Sequence, residues 1–407
     1  MPHLVRRWFS SWPFLVLLVA GILIWRRPDQ WLHPYVWVEE GTVTLPDYLA
    51  HGWGSILSPV AGYLVIPAKV IFLIAASLSF SHLPSIEYWL TLIFTAGTIA
   101  LVAFSPTRLR HPLAAALAVA LLPTDSEVFA VSEYAFWWGA IWSFVAIFWD
   151  EQAKPRTVWR CVLVLVGGLS SPMAVPMAVV LGFRAAVLRK RADFVVLTVA
   201  SLAAAVQCYT MYVNGALKSP GETSIDTVSI VTRFFGDYAL GSRMLPEVFA
   251  VVLGWLVLAG GVVFAIARAK WRDPYFLMLV ACLVASIAAS VTRVPVSILN
   301  PFTAGPRYFF FPYMMLSWLL LYTLPEVGRV SRALVCLVLA GALVQFAFFA
   351  QRFHDRVSWR AEIRHCVESG EATYQLPVHY DGAKSRMWHV GLTGNQCKDL
   401  ASRSLFP

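Results

Sequence analysis

Two adjacent carboxylates, Glu39 and Glu40, stand in the stretch YVWVEEGTVTLPDY, shortly after the first apolar run of a very hydrophobic chain. A carboxylate held within hydrogen-bond reach of a reacting hydroxyl can take its proton. It can equally be a solvated residue of a loop anchored at a membrane interface by Trp37. A second acidic group follows in PTDSEVFAVSEYAFWW, where Asp125, Glu127 and Glu133 precede Trp137 and Trp138. Carboxylates beside indole rings suit a sugar, whose apolar face stacks on aromatic rings, and Glu127, Glu133 and Trp138 are the candidates for that contact. The same composition describes an ordinary aromatic belt. The elements that place these residues decide between the readings.

Of the 407 residues, 58% are hydrophobic and only 14% charged, against roughly 25% charged in soluble domains. The chain is therefore expected to be an all-α polytopic membrane protein. Seventeen tryptophans fit the enrichment of that residue at both bilayer interfaces. The formal charge of +9 is accounted for by Lys and Arg in cytoplasmic loops rather than by nucleic acid. The basic start and apolar run of MPHLVRRWFSSWPFLVLLVAGILIW are not followed by a small-residue cleavage site, so a retained signal anchor is expected.

A transmembrane helix needs about 20 apolar residues, fewer where polar ends sit in the headgroups. Spans are expected near 11–26, 85–105, 111–123, 137–149, 160–171, 173–188, 193–213, 247–267, 274–291, 309–324 and 331–350. With the N-terminus inside, the basic clusters at Arg6/Arg7, Arg108/Arg110, Lys154/Arg156/Arg160, Arg189/Lys190/Arg191, Arg268/Lys270/Arg272 and Arg329/Arg332 all become cytoplasmic. Arg26 and Arg27 violate the rule. The long external segments are then 27–84, 124–136, 214–246, 292–308 and 351–407, and any chemistry lies on that face. This gives a membrane domain over 1–350, whose first external loop (27–84) carries the acidic pair, and an extracytoplasmic cap over 351–407.

The topology requires that GYLVIPAKVIFLIAASLSF, residues 62–80, does not cross. If it crossed, Arg108/Arg110 and later clusters would fall outside. It is expected to lie at the interface or to re-enter from outside, beginning after Pro67 and carrying Lys69. Cys161, Cys208, Cys282 and Cys336 fall in or beside spans as small hydrophobes. Cys366 and Cys397, in the polar tail, are expected to form a disulfide in an oxidising compartment.

Motifs of zinc peptidases, P-loop enzymes and serine hydrolases are absent from the sequence, and the histidines lack metal-ligand spacing. No repeat of the kind many transporters carry stands out.

The order of features resembles the N-terminal half of the GT-C membrane glycosyltransferases. A basic N-terminus and one helix lead to an acidic pair opening a long external loop. An aromatic amphipathic segment follows, then HLPS entering a span that ends in RLR. The likeness covers about residues 1–140 and, more loosely, the Arg-Tyr segment near 307. It implies transfer of a sugar from a polyprenyl-phosphate donor to an external glycan, lipid or protein. The family's acidic pair maps onto Glu39 and Glu40, one of them the base for the acceptor hydroxyl, with Glu39 preferred by order. Both are Glu here, where the family commonly has Asp in the pair. No cofactor is implied beyond a divalent metal that some relatives use, and no dedicated metal cage is visible.

A lipid-phosphate donor needs cations, and arginine's planar guanidinium suits phosphate. In FTAGPRYFFFPY, Gly305 and Pro306 should break the chain just before a helix, leaving Arg307 and Tyr308 at its anion-favouring N-terminus. Arg307 is the first choice for the phosphate, with Tyr308, Lys69 and Arg243 behind it. In the tail, His354, His379, Asp381 and Arg386 could face the site, though a solvated cap with a short helix and strands accounts for them as well. A lipid-linked-sugar flippase would place charges inside the spans, where few are found, and a non-catalytic envelope assembly protein is the other alternative. The expected setting is a bacterial-type inner membrane.

Overall fold

The computed structural model describes residues 12–153, 155–217, 226–240, 246–369, 372–380, 383–403 and 405. Arg6, Arg7, Lys154, Arg243 and Asp381 lie outside the described residues, so the structure does not bear on the roles expected for them.

Helices form at each of the eleven apolar stretches expected to do so. In chain order the principal helices are α1 (Trp12–Arg26), α2 (Ile66–Leu78), α3 (Leu83–Phe104), α4 (Pro112–Ala120), α5 (Ala135–Phe148), α6 (Thr157–Gly168), α7 (Ala174–Leu188) and α8 (Arg191–Val213). They continue with α9 (Glu247–Ala267), α10 (Pro274–Val291), α11 (Phe310–Thr323) and α12 (Arg329–Phe349). Proline in the first turn starts α2, α3, α4 and α10, where its missing N–H costs nothing. Asp273 also caps α10 by accepting from the N–H groups of Tyr275 and Phe276 at 3.1 and 3.3 Å.

Among the described residues five helices, those within Phe80–Phe104, Arg191–Val213, Glu247–Ala267, Pro274–Val291 and Arg329–Phe349, are long and apolar enough to cross a membrane. The other apolar helices are shorter. At 1.5 Å per residue, the 14 residues of α5 reach roughly 21 Å, against a hydrocarbon core of about 30 Å.

At one end of the helices the connecting loops are tied by ions. Arg108 pairs with Asp150 at 2.9 Å, Arg110 with Glu326, and Lys270 with Glu326 and Asp273 at 2.8 and 3.0 Å. Arg184, fully buried, donates to the carbonyls of Ile147 and Trp149 and to Asp193, which Arg160 also binds. A buried charge is costly unless paired, and here Asp193 pairs with both Arg184, which carried no role in sequence reading, and Arg160, which served there only as an orientation signal.

Arg26 and Arg27, the apparent violations of the charge rule, are likewise internal. Arg26 is buried and donates to the carbonyls of Ala120, Leu122 and Thr124 and to Ser126 Oγ. Arg27 pairs with Asp29 at 3.2 Å and donates to the carbonyls of Ser126 and Phe129. Together they bolt the end of α1 to the 120–129 segment.

Of the two placements expected for α2, interfacial or re-entrant, its burial disfavours the first. Its 13 residues reach roughly 20 Å, and it packs against α3 and α5. Phe72, Leu73, Ala75 and Ala76 share an apolar cluster with Trp359, Leu376 and Val378 of the cap. The helix is short of a bilayer and buried in protein. Its start is also one residue before Pro67 rather than after it.

The cap consists of α13 (Trp359–Glu368), an antiparallel pair β1 (Tyr374–Val378) and β2 (Trp388–Leu392), and α14 (Gly394–Arg403). The expected Cys366–Cys397 disulfide joins its two helices. Trp359 Nε1 donates to Phe80 O at 2.9 Å, and His379 N donates to Val36 O at 3.0 Å. The cap is thus seated on the loop that carries the acidic pair. The four free cysteines remain in or beside helices, Cys282 buried, Cys161 and Cys208 half-buried, Cys336 exposed.

Candidate active site

Four connections converge opposite the ion-paired end. The segment 35–44 turns tightly after Trp37, and residues 40–44 form a wide π-type turn, a geometry that recurs at functional sites. Glu40 fixes this turn. Its carboxylate accepts from Trp37 N at 2.8 Å and Glu133 N at 2.6 Å, and from the Ser132 hydroxyl. Glu40 therefore clamps the loop that follows α1 to the 121–134 segment. Burial, opposed by these hydrogen bonds, pushes its carboxyl up to about 7.

Glu39, on the preceding residue, lines a cavity of about 280 Å³. Its Oε2 is buried and without a hydrogen-bond partner. Burial raises its pKa above the ordinary carboxylate range, Glu127 adds to the rise, and Arg307 opposes it. Glu133 lines the same cavity and is only 4% exposed. Burial first, and then the charges of Glu40 and Glu39, hold its carboxyl well above the usual range, with Lys69 pulling the other way.

The cationic wall comes from the start of α11. Gly305 adopts a left-handed conformation (φ 64°), which favours glycine, and a short 3-10 turn, Pro306–Phe309, leads into α11. The expected chain break before the helix is present. Arg307 Nη1 donates to Glu127 Oε1 at 2.7 Å and to Tyr134 OH at 3.0 Å, while Tyr134 OH donates to Glu127 at 2.8 Å. Burial alone would lower the Arg307 pKa, but Tyr134 and Glu127 outweigh it and raise the value. Arg307 and Tyr308 both line the cavity.

Several lining residues carried no role in sequence reading. Arg293, just past α10, faces the cavity and donates to Ala216 O at 3.1 Å. Ser286 and Ser290 face it from α10. Their four-residue spacing puts both hydroxyls on one helix face, a signal legible within the apolar run. Tyr63 lines it from a loop held by Gln207, whose side chain bonds both Leu64 N and Leu64 O at 3.0 and 3.1 Å. Ser171 and Pro172 line it from the turn before α7, where Ala174 N donates to Ser171 O at 3.0 Å.

Other sequence candidates lie elsewhere. Lys69 is buried and paired with Asp47 at 3.2 Å, away from the cavity lining. Trp138 is turned into the core, its Nε1 donating to Val128 O at 2.9 Å; its neighbour Trp137 is the indole that faces the cavity. Glu127 holds Arg307 from behind and is not itself a lining residue. His354 and His379 are buried around Tyr35 beneath the cap, and Arg386 is exposed. Glu87 of α3 is a buried ionisable residue within an expected span, its Oε1 without a partner.

Among the described residues no three His, Cys, Asp or Glu side chains are grouped to hold a metal ion. The arrangement offers an unpartnered carboxylate oxygen, a second buried carboxyl, two guanidinium groups, hydroxyls and an indole around one space. Comparisons with family models, with curated proteins and with solved structures find no match to this chain.

Proposed function

We propose that this protein is an integral-membrane glycosyltransferase of the GT-C kind, moving a sugar from a polyprenyl-phosphate donor to an acceptor hydroxyl. The observation that carries the reading is the meeting of Glu39 and Arg307 in one cavity, from opposite ends of the membrane domain. In this reading eleven helices cross the membrane, the ion-paired end is cytoplasmic, and the cavity and cap face outward from a bacterial-type inner membrane.

Glu39 takes the acceptor proton while the acceptor oxygen forms its bond to the anomeric carbon. The bond from that carbon to the phosphate oxygen breaks, and the electron pair leaves with the polyprenyl phosphate. The phosphate gains charge as it leaves, and Arg307 and Arg293 stabilise that charge better than they stabilise the bound donor, which is the condition for lowering the barrier. Glu40 orients the turn, and Glu127 with Tyr134 orients Arg307.

The test is transfer of radiolabelled sugar from defined polyprenyl-phosphate sugars to membrane acceptors, comparing wild type with Glu39→Gln. Loss of transfer in the variant, with polyprenyl phosphate still bound, is the expected result. Full transfer by the variant removes Glu39 as the base. Movement of the intact lipid-linked sugar across vesicles by wild type, without transfer, replaces the enzyme with a flippase.

A further inference from the structure

Among the described residues Glu133 is the one cavity-lining carboxyl besides Glu39, and its position is unusual for an acid. Its backbone N–H is consumed by Glu40 at 2.6 Å, which fixes the residue. Its side chain is 4% exposed, and no ion pair engages it among the described residues. Around it stand Glu39 and Glu40 from the first loop, Lys69 from α2 and Glu87 from α3, while Tyr63, Arg307, Arg293 and Tyr308 line the same space. Lys69 is committed to Asp47, and Arg307 to Glu127.

Two neighbouring carboxylates and burial all disfavour a charge on Glu133, as in sites where environments drive paired carboxyls to opposite protonation states. A neutral carboxyl is a hydrogen-bond donor. Such a donor faces a space that also holds a base and two guanidinium groups, and no hydrogen bond from its carboxyl to a protein acceptor is found among the described residues, so it is free to donate to a ligand oxygen.

Resting on the glycosyltransferase reading, we propose that Glu133 is the sugar-orienting donor of this cavity, giving its carboxyl hydrogen to a ring hydroxyl oxygen of the donor sugar while Glu39 serves as base. The sugar is thereby gripped by a proton at Glu133 and its phosphate by the arginines, so the two halves of the ligand are read separately.

Purified full-length protein in nanodiscs, with polyprenyl phosphate and polyprenyl-phospho-glucose as probes, separates the possibilities. Glu133→Ala is expected to weaken binding of the phospho-glucose probe roughly five- to tenfold, the worth of one neutral hydrogen bond. Binding of polyprenyl phosphate should change less than twofold. Glu133→Gln, whose amide also donates, should recover most of the loss. Infrared difference spectra at neutral pH, wild type minus Glu133→Gln, should show one protonated-carboxyl band that shifts with the sugar probe and not with the phosphate alone. Absence of that band, or a Gln variant as impaired as Ala, overturns the proposal and leaves the function intact. Wild type that binds neither probe overturns the function itself, and this inference with it, whatever the band shows.

Discussion

Glu39 and Glu40 are chain neighbours with opposite surroundings. Glu40 accepts hydrogen bonds from Trp37, Ser132 and Glu133, whereas Glu39 leaves Oε2 buried and unpartnered at the cavity. One residue holds the site together and the other is free to react. Glu40→Gln should therefore behave as a structural lesion. An amide has one acceptor oxygen, so its NH₂ must face either Trp37 N–H or the Ser132–Glu133 pair. The mismatch should cost about 1–3 kcal/mol, read as a lowered thermal midpoint in detergent. Glu39→Gln should leave the midpoint within about 0.5 kcal/mol equivalent, as substitutions away from such features do. Equal shifts for the two variants would show that both glutamates are structural.

Arg307→Lys tests the phosphate grip. Lysine keeps the charge but offers no planar fork for two parallel bonds, and it leaves Glu127 and Tyr134 with a poorer partner. Polyprenyl-phosphate binding should weaken by roughly tenfold, about the worth of one charge-assisted hydrogen bond. Binding equal to wild type in a direct titration would move the phosphate site away from Arg307.

The disulfide should matter to the cavity as well as to the cap. Cys366 and Cys397 close a loop of separation 31, and the chain-entropy model gives about 3–4 kcal/mol for a loop of that size. Replacing both with Ala should make 351–403 the first region cut by limited proteolysis. Because His379 N bonds Val36 O, protection of the 36–41 backbone in hydrogen exchange should fall too. Unchanged exchange there would mean that the cap does not support the acidic turn.

The helices were legible because a chain in lipid must satisfy its backbone internally, and long apolar runs leave little else to form. The environment of each helix was harder to read. Apolar composition is the same whether a helix faces lipid or protein, so it left α2 either interfacial or re-entrant and gave no sign that the cap would cover it. Trp137 and Trp138 differ by a rotation of about 100° around one helix, and composition could not say which indole faced inward. The acidic loop was visible as a motif, yet the partners that distinguish Glu40 from Glu39 are 92 and 93 residues further on. Arg26 and Arg27 misled for the same reason. Charge counts treat arginines as solvated, whereas these two are spent on carbonyls brought close only by folding.

Acidification should loosen the cap. His354 stacks on Tyr35 at 4.7 Å and accepts from Arg352 Nε at 2.8 Å. Burial first, and then Arg27 and Arg352, depress its pKa. Burial also depresses that of His379, against a bond to Asp355 O. A histidine whose folded pKa is lowered contributes its full share of stability above the ordinary value of about 6.5 and loses it as pH falls below that. Glu40, and with it Glu39 and Glu133, run the other way, since raised carboxyl pKa values make stability fall as pH rises above about 4.5, for Glu40 up to about 7. These three residues sit at the cavity, whereas both histidines pack against Tyr35 where the cap is seated. The cap should therefore show faster proteolysis at pH ~5 than at pH ~7.5, and His354→Gln should flatten that difference. A cap equally resistant at both values would show that the histidines are not held neutral.

Gly41 gives the most direct test of whether the cap sets the position of the acidic pair. A Cβ at this residue would collide with Val378 of β1, both with Cγ1 and, at 3.1 Å, with Cβ. Val378 is itself 1% exposed within the cluster that joins the cap to the first loop, so it cannot swing aside into solvent. Gly41→Ala must push β1 outward or shift the turn that carries Glu39 and Glu40. Overpacking of this kind typically costs about 1–3 kcal/mol, and transfer should fall further than stability alone explains, because the turn itself moves. Val378→Ala alone should cost stability through a small cavity. The double variant Gly41→Ala/Val378→Ala removes the clash with Cγ1 and leaves only the tight Cβ–Cβ contact at 3.1 Å, so its thermal midpoint and transfer rate should both exceed those of Gly41→Ala alone. Strictly additive losses in that cycle would mean that strand and turn do not press on one another, and the cap would then be a cover rather than a support for the site.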